Sequence, residues 1–294
     1  MLGQFEIEFL KFLESFRTPF LSKVAEIVTM IGEEMIFIAL AAVLYFIIDK
    51  KLGQKMIYIV CCGVGLNGIV KNFAAVPRPF VKDPTLNAVR VETATGYSFP
   101  SGHSQTASTW MTALCVRLKK WWAWLIAIVL MLSVAFSRLM LGVHYPSDVV
   151  TGLLLGLFSA LFFGWLYDRW EKKQIAIAVL LLLYLTFGVV FLFRPDPEYA
   201  DFYKMLGLSC GFACAYLFER RFVNFTNDVP VWKRIIRCLV GIGLALGIRV
   251  GLSALFGLFT VGTVGSLLFG AVRYFAIGFV VIGVYPLVFK KLKF

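Results

Sequence analysis

The sequence predicts an all-α protein, folded as a polytopic bundle of transmembrane helices. Hydrophobic residues make up 60% of the 294 residues and charged residues only 16%, with a mean hydropathy of +0.83. A soluble domain is roughly 45–50% apolar. Several apolar runs also approach the ~20 residues that a helix needs to cross a bilayer. Together these features exclude the soluble protein classes.

The first 32 residues form an amphipathic segment ahead of the long apolar runs. At helical spacing, glutamates and a lysine occupy one face, and large apolar side chains occupy the other, namely Phe5, Phe9, Phe12, Leu13 and Phe16. Such a pattern favours a helix that lies in the membrane interface rather than across it. We therefore expect residues 1–32 to form an interfacial amphipathic segment.

The remaining chain carries about nine apolar runs, each a predicted membrane span. They cover residues 35–48, 56–76, 103–116, 121–142, 148–167, 175–193, 202–218, 235–259 and 265–289. All of the polar motifs described below fall in residues 33–170, which we expect to form the catalytic helix core. Residues 171–294 are then a block of additional transmembrane helices with few polar groups.

The net charge of +12 does not point to nucleic acid. Most of the 29 Lys and Arg residues lie in short loops beside apolar runs, where cations orient helices and contact anionic lipids. We therefore expect membrane lipids as partners and no nucleic acid, whereas the sequence leaves the oligomeric state open. The six cysteines lie in apolar stretches without ligand-type spacing, so neither a metal nor another cofactor is expected.

Only two histidines occur, and each stands within a short polar motif. His103 ends the motif Pro100-Ser101-Gly102-His103, and His144 lies in Ser137-Arg138-x5-His144-x3-Asp148. Imidazole is the side chain that titrates near neutral pH without help from its surroundings. This pattern indicates acid–base or nucleophilic chemistry.

Three polar clusters are expected to meet at one membrane face. If consecutive spans are antiparallel, the ends that carry Lys71, His103 and His144 all face the same side. Lys71, Arg78 and Arg138 would then bring three cations together, which suits a phosphate dianion. Ser101 is placed to cap the third span and to expose the free amides of Gly102 and His103, which is a typical anion-binding arrangement.

These clusters resemble the three signature motifs of the type 2 phosphatidic acid phosphatase (PAP2) superfamily. The motifs here are Lys71-x6-Arg78-Pro79, Pro100-Ser101-Gly102-His103 and Ser137-Arg138-x5-His144-x3-Asp148. The resemblance covers residues 71–148 directly and gives no functional residue in 1–50 or 170–294.

The resemblance implies a phosphatase that forms a covalent phosphohistidine. His144 would attack phosphorus, Asp148 would orient its ring, and His103 would protonate the leaving group. The phosphoryl oxygens would be held by Lys71, Arg78, Ser101, Gly102 and Arg138. A neutral imidazole is a competent nucleophile near pH 7, and fixed cations and amides stabilise the charge on the equatorial oxygens.

Two motif residues have alternative roles. If Pro146 is the first residue of its helix, Asp148 can bind free amides at the helix start as well as orient His144. Ser137 can contact the substrate or can bond back to its own helix.

Two arginines lie inside otherwise apolar spans far from the motifs. Because an intramembrane charge is costly, Arg249 and Arg273 are candidates for a functional role. Either could bind a lipid headgroup, and Arg249 could instead form an ion pair with Glu33 or Glu34.

The sequence thus predicts a metal-independent membrane phosphatase that acts on a lipid phosphate monoester or diphosphate. A phosphotransferase that uses the same histidine is the closest alternative, and a non-catalytic lipid transporter is a rival from another class. Loops opposite the motifs hold 17 of the 29 Lys and Arg residues. The positive-inside rule therefore predicts a bacterial plasma-membrane protein with its active site outside.

Overall fold

The computed structural model describes residues 2–170 and 172–291, and all of the regular structure in these ranges is helical. The all-α prediction is confirmed. The thirteen α-helices are α1 (Leu2–Ser15), α2 (Pro19–Thr29), α3 (Glu34–Ala42), α4 (Lys50–Ala74), α5 (Pro79–Lys82), α6 (Gly102–Leu118), α7 (Trp121–Met140), α8 (Pro146–Arg169), α9 (Lys173–Leu192), α10 (Ala200–Phe218), α11 (Val231–Phe256), α12 (Thr263–Phe279) and α13 (Leu287–Lys291).

The chain divides into two compact units. The first contains residues 1–37 and 62–165, and the second contains residues 38–61 and 166–294. Every motif residue lies in the first unit. The amphipathic segment at the start of the chain belongs to that same unit, together with the helices that carry the motifs.

Fewer helices have the character of a membrane span than the predicted nine. Within the described residues, six helical stretches are long and apolar enough, namely Lys50–Lys82, Trp121–Met140, Pro146–Arg169, Lys173–Leu192, Val231–Phe256 and Thr263–Lys291. The stretches Pro19–Gly32 and Ile36–Ile48 could form a seventh span, bent by 42°.

The two remaining predicted spans are α6 and α10, whose composition reflects burial against other helices. Much of α6 is polar but buried, including Ser104, Gln105 and Thr112. α10 contacts α12 so closely that a Cβ on Gly207 would lie 1.9 Å from the Ala271 carbonyl oxygen. A helix that faces protein instead of lipid can hold polar groups, because its neighbours bind them.

Close packing of α6 against α8 sets the geometry of the first unit. A Cβ on Gly152 would lie 2.6 Å from the Ser101 carbonyl oxygen. One turn later, a Cβ on Gly156 would lie 2.5 Å from the Gln105 carbonyl oxygen and 2.5 Å from Ser108 Cβ. These two glycines allow the backbones to approach closely, as small residues do between membrane helices.

α1 buries one apolar stripe and exposes another. Leu10 and Leu13 are buried, whereas Phe5, Phe12 and Phe16 are exposed. The face that the sequence assigned to lipid is therefore divided, because Leu13 packs in the protein core. The interfacial location of α1 stays a prediction, and the exposed phenylalanines are consistent with it.

Polar contacts join α1, and Arg17 two residues after it, to the start of α8, to the end of α7 and to the segment after α5. Glu6 Oε1 accepts a hydrogen bond from the Ser147 amide at 2.8 Å, and Lys11 forms an ion pair with Asp83 at 2.8 Å. The Arg17 guanidinium donates to the Met140 carbonyl oxygen at 3.0 Å.

The second unit contains a buried polar cluster of its own. Glu219 is 1% exposed and forms an ion pair with Lys50 at 3.0 Å. The buried Arg237 guanidinium stacks on the Phe289 ring at 4.3 Å from its centroid and donates to the Thr226 carbonyl oxygen. These contacts give Glu219 a cationic partner and Arg237 a hydrogen-bond acceptor within the unit. The last three residues, 292–294, lie outside the described residues.

We expect the substitution Gly156→Ala to destabilise the protein. The added Cβ would overlap Gln105 and Ser108, and overpacking of this kind costs about 1–3 kcal/mol. Gly247→Ala is the matched control, because a Cβ at this position of α11 meets nothing within 4 Å. Thermal unfolding in detergent should show a lower midpoint for Gly156→Ala only, and equal midpoints for both variants would contradict the packing described here.

Candidate active site

His144 lies in the short segment between α7 and α8 and is 1% exposed. Its Nδ1 is 3.1 Å from Asp148 Oδ2, and its Nε2 is 3.1 Å from Arg78 Nη1. A carboxylate can only accept and a guanidinium can only donate, so these partners assign the proton to Nδ1. Nε2 therefore carries the lone pair, as a nucleophile requires.

Asp148, in the first turn of α8, accepts hydrogen bonds through its side chain and through its backbone carbonyl oxygen. Its Oδ2 accepts the His144 ring N–H, the Ser98 hydroxyl at 2.5 Å and the Tyr145 amide at 2.9 Å. Its carbonyl oxygen accepts the Ser101 amide at 3.0 Å. Both roles considered for Asp148 are therefore present, since it binds an amide at the helix start and also contacts the His144 ring.

Arg78 reaches His144 from an extended segment after α4. That helix ends at Ala74, and Ala75 adopts a left-handed conformation with φ of 47°. The buried Arg78 guanidinium donates to three carbonyl oxygens as well as to His144, namely those of Thr95 at 2.6 Å, Gly96 at 2.9 Å and Val143 at 3.0 Å. These bonds fix the orientation of the guanidinium.

Lys71 lies in the last turn of α4, and its Nζ donates to the Tyr97 carbonyl oxygen at 2.6 Å. Tyr97 belongs to the same loop that binds Arg78. Both cations of the first motif are thus held by the segment that precedes the Pro100-Ser101-Gly102-His103 motif.

α6 begins at Gly102, with Ser101 as its N-cap. The buried Ser101 hydroxyl accepts the Ser104 amide at 3.4 Å. The amides of Gly102 and His103 are the first two of the helix, and helix geometry gives such amides no intrahelical partner. His103 Nε2 is buried and has no hydrogen-bond partner in the described part of the chain.

Arg138, near the end of α7, is fully buried. Its Nη1 donates to Thr29 Oγ1 at 3.0 Å. Its Nε and Nη2 are buried without a hydrogen-bond partner among residues 2–170 and 172–291. Unpaired guanidinium donors are costly in a protein interior, and an anion would pair with them.

The surroundings keep the His144 imidazole neutral. Burial is the largest cause and, with the positive charges of Arg78, Arg138 and Lys71, it lowers the pKa of His144 well below its usual value. Lowering the pKa favours the neutral form. Nε2 is thus unprotonated near pH 7, and its lone pair accepts a hydrogen bond from Arg78.

The structure brings eight of the ten predicted site residues into the first unit. Arg249 and Arg273 lie in the second unit, on α11 and α12. Arg273 donates to Ser253 Oγ at 2.7 Å, whereas Arg249 is exposed and forms no ion pair within the described part of its unit.

The structure shows the partners of two residues for which the sequence left alternatives open, Glu33 and Ser137. Glu33, considered as a partner for Arg249, forms an ion pair with Arg90 instead, and the side chain of Glu34 lies outside the described residues. The Ser137 hydroxyl donates to the Val134 carbonyl oxygen at 2.6 Å. It therefore bonds to its own helix.

Sequence reasoning missed Ser98 and Thr29. Ser98 is fully buried, its amide donates to the Val76 carbonyl oxygen at 2.7 Å, and its hydroxyl reaches Asp148. The sequence feature that could have pointed to Ser98 is its position two residues before Pro100, the first residue of the second motif. No pattern in the sequence links Thr29 to Arg138, which is 109 residues away.

The chain belongs to the PAP2 superfamily, as the sequence motifs indicated. The profile of the PAP2 superfamily matches residues 52–173. A second profile, that of the PAP2 superfamily phosphatase transmembrane extension, matches residues 203–294. The long apolar helices and this second match make the chain an integral membrane protein.

Named relatives include an undecaprenyl-diphosphatase from Sulfolobus acidocaldarius, 30% identical over 52% of this chain and 73% of the relative. The bacitracin transport permease protein BcrC from Bacillus licheniformis is 36% identical over 45% of this chain and 65% of that protein. A PAP2-type phosphatidylglycerolphosphate phosphatase structure from Bacillus subtilis gives a TM-score of 0.46, with 25% identity over 58% of this chain and 87% of that chain.

We expect Ser98→Ala to lower kcat/KM about tenfold or more, since a hydrogen bond to a charged group is worth roughly 1.5–3 kcal/mol. Ser159→Ala is the matched control, because Ser159 is also a buried serine but its hydroxyl has no partner in the described structure. The kcat/KM of both variants is measured from phosphate release with nitrophenyl phosphate in detergent. Unchanged activity in Ser98→Ala would show that Asp148 does not need this hydroxyl.

Proposed function

We propose that the chain is a membrane phosphatase that hydrolyses a lipid phosphate monoester or diphosphate through a phosphohistidine on His144. The family membership supports the lipid phosphatase class. The observation that carries the mechanism is the environment of His144, a buried neutral imidazole with Asp148 at Nδ1 and an unprotonated Nε2 that accepts a hydrogen bond from Arg78.

Buried polar atoms without partners among the described residues support a phosphoryl-binding site beside His144. Arg138 Nε and Nη2 and His103 Nε2 are buried polar atoms without partners in the described residues. The amides of Gly102 and His103 add two donors at the start of α6. Together with Arg78 and Lys71, these groups would surround the phosphoryl oxygens and stabilise their charge as the transition state forms.

In the first step, the His144 Nε2 lone pair attacks phosphorus while the bond to the leaving oxygen breaks. The negative charge of the bound phosphate favours the protonated form of His103, which then gives its proton to the leaving oxygen. Asp148 accepts the Nδ1–H of His144 and stabilises the positive charge that develops on the ring.

In the second step, water replaces the leaving group and attacks the phosphohistidine. His103, now neutral, takes a proton from that water, and the bond between Nε2 and phosphorus breaks. Inorganic phosphate leaves, and both histidines return to their starting states. Lys71, Arg78 and Arg138 stabilise the negative charge on the phosphoryl oxygens, so the proposed reaction needs no metal ion.

Two other functions make different predictions for the same site. A phosphotransferase would pass the phosphoryl group from His144 to a lipid or sugar hydroxyl, so its product would depend on an added acceptor. The other is a transporter, since one relative is named a bacitracin transport permease protein, and a non-catalytic lipid transporter would release no phosphate.

We expect His144→Ala to abolish both phosphate release and the phosphorylated enzyme. His103→Ala should reduce the hydrolysis of alkyl phosphates far more than that of nitrophenyl phosphate, because nitrophenolate leaves without a proton. The assay uses a panel of lipid phosphates and diphosphates in detergent, with wild type and both variants in parallel.

The same assay tests the remaining parts of the proposal. Activity should survive EDTA and should be inhibited by vanadate, which adopts the five-coordinate geometry of the transferring phosphoryl group. Inactivation by EDTA that Mg²⁺ reverses would refute the metal-free mechanism. Equal losses for alkyl and nitrophenyl phosphates in His103→Ala would refute the role of His103 as the acid.

We propose that the active site faces outward in a bacterial plasma membrane. The support is the charge distribution, because the loops opposite the motifs carry Lys50, Lys51, Lys55, Arg117, Lys119, Lys120, Arg169, Lys172, Lys173, Arg220, Arg221, Lys233, Arg234, Arg237, Lys290, Lys291 and Lys293. Cytoplasmic loops are typically enriched in such cations. The substrate would then be a lipid of the outer leaflet.

A cysteine placed in the loop between Pro77 and Phe99 should react with a membrane-impermeant thiol reagent on intact cells. The background lacks the six native cysteines, because Cys214 is exposed. A cysteine in the loop between α8 and α9 serves as the inward-facing control. Labelling of the first cysteine only after lysis would invert the topology and move the substrate to the inner leaflet.

A further inference from the structure

The end of α2 reaches the proposed phosphate site from outside the sequence motifs. Thr29, the last residue of α2, is fully buried, and its Oγ1 accepts the Arg138 Nη1 hydrogen bond at 3.0 Å. Thr29 also precedes residues 52–173, which match the PAP2 superfamily profile. It therefore contacts a phosphate-binding arginine from a segment to which the motifs assign no role.

The chain around Thr29 is fixed on both sides. The Arg90 guanidinium donates to the Glu26 carbonyl oxygen at 2.8 Å and also pairs with the Glu33 carboxylate. Between these contacts, Gly32 lies so close to α6 that an added Cβ would be 2.7 Å from the His103 carbonyl oxygen. The segment that carries Thr29 is thus held beside two motif residues, with Thr29 at Arg138 and Gly32 at His103.

The chemistry of the Thr29–Arg138 contact suits an orienting role. A guanidinium presents its donors in a rigid planar fork, so one bond at Nη1 helps to set the direction of Nε and Nη2. The hydroxyl is a neutral acceptor, whereas a carboxylate here would neutralise the guanidinium and compete with phosphate. The contact therefore orients Arg138 and leaves its positive charge for the substrate.

We propose that Thr29 is a positioning residue, which holds the Arg138 guanidinium so that Nε and Nη2 bind the phosphoryl oxygens. This inference rests on the proposed phosphatase function of the same site. It extends the site to the amphipathic segment that precedes the first long span.

The test compares Thr29→Val, which keeps the shape but removes the hydroxyl, with Thr29→Ser, which keeps the hydroxyl. Thr29→Val should lower kcat/KM about tenfold or more and weaken inhibition by vanadate by a similar factor. Thr29→Ser should retain most of both. Thr112→Val is the matched control, because Thr112 is a fully buried threonine whose hydroxyl has no partner in the described structure.

Leaving-group dependence separates positioning from acid catalysis. Because Arg138 binds the phosphoryl oxygens and not the leaving oxygen, Thr29→Val should reduce the rates for alkyl and nitrophenyl phosphates by equal factors. Thermal unfolding of the purified variants in detergent checks that each one folds.

A double-mutant cycle with Arg138→Ala tests whether Thr29 acts through Arg138. Vanadate binding to the purified proteins is measured by calorimetry, and Thr29→Val should have no further effect once Arg138 is absent. An equal loss in both backgrounds, or an equal loss in Thr29→Ser and Thr29→Val, would overturn the proposal. Wild-type protein that releases no phosphate would refute the proposed function, whereas active wild type with fully active Thr29→Val would refute the positioning role alone.

Discussion

The buried side chain and backbone of Asp148 connect the parts of the site that the sequence keeps apart. Its Oδ2 accepts hydrogen bonds from His144, Ser98 and the Tyr145 amide, and its carbonyl oxygen accepts the Ser101 amide. Three donors on one carboxylate oxygen restrict its position. The direction of the His144 ring and the start of α6 both depend on this residue.

Helix packing makes this arrangement possible. Gly152 and Gly156 lie on α8 one and two turns after Asp148, where the backbones of α6 and α8 are in close contact. A larger side chain at either position would push α6 away and would lengthen the bond between the Ser101 amide and Asp148. The small residues therefore keep the start of α6, which carries Ser101 and His103, close to Asp148 on α8.

The site gathers more positive charge than it neutralises. Lys71, Arg78 and Arg138 surround His144, and Asp148 is the carboxylate in contact with it. Burying unbalanced charge is costly, and the protein limits this cost by directing Lys71 and Arg78 to backbone carbonyl oxygens. Arg138 Nε and Nη2 have no partner within the part of the chain that the structure describes, so a phosphate dianion would restore both the charge balance and the missing hydrogen bonds.

The sequence by itself determined the helical membrane class, the family and the eight motif residues of the first unit, because hydropathy and motif spacing are local properties of the chain. It predicted about nine spans, whereas six helical stretches of the described residues, or seven with the bent pair, are long and apolar enough to cross a membrane. An apolar run does not reveal whether lipid or protein surrounds it, as α6 and α10 show. Only the tertiary structure showed the hydrogen bond between Ser98 and Asp148 and the one between Thr29 and Arg138. Such contacts join residues that are 50 and 109 positions apart, and they depend on how helices pack in three dimensions, which no spacing along the chain encodes.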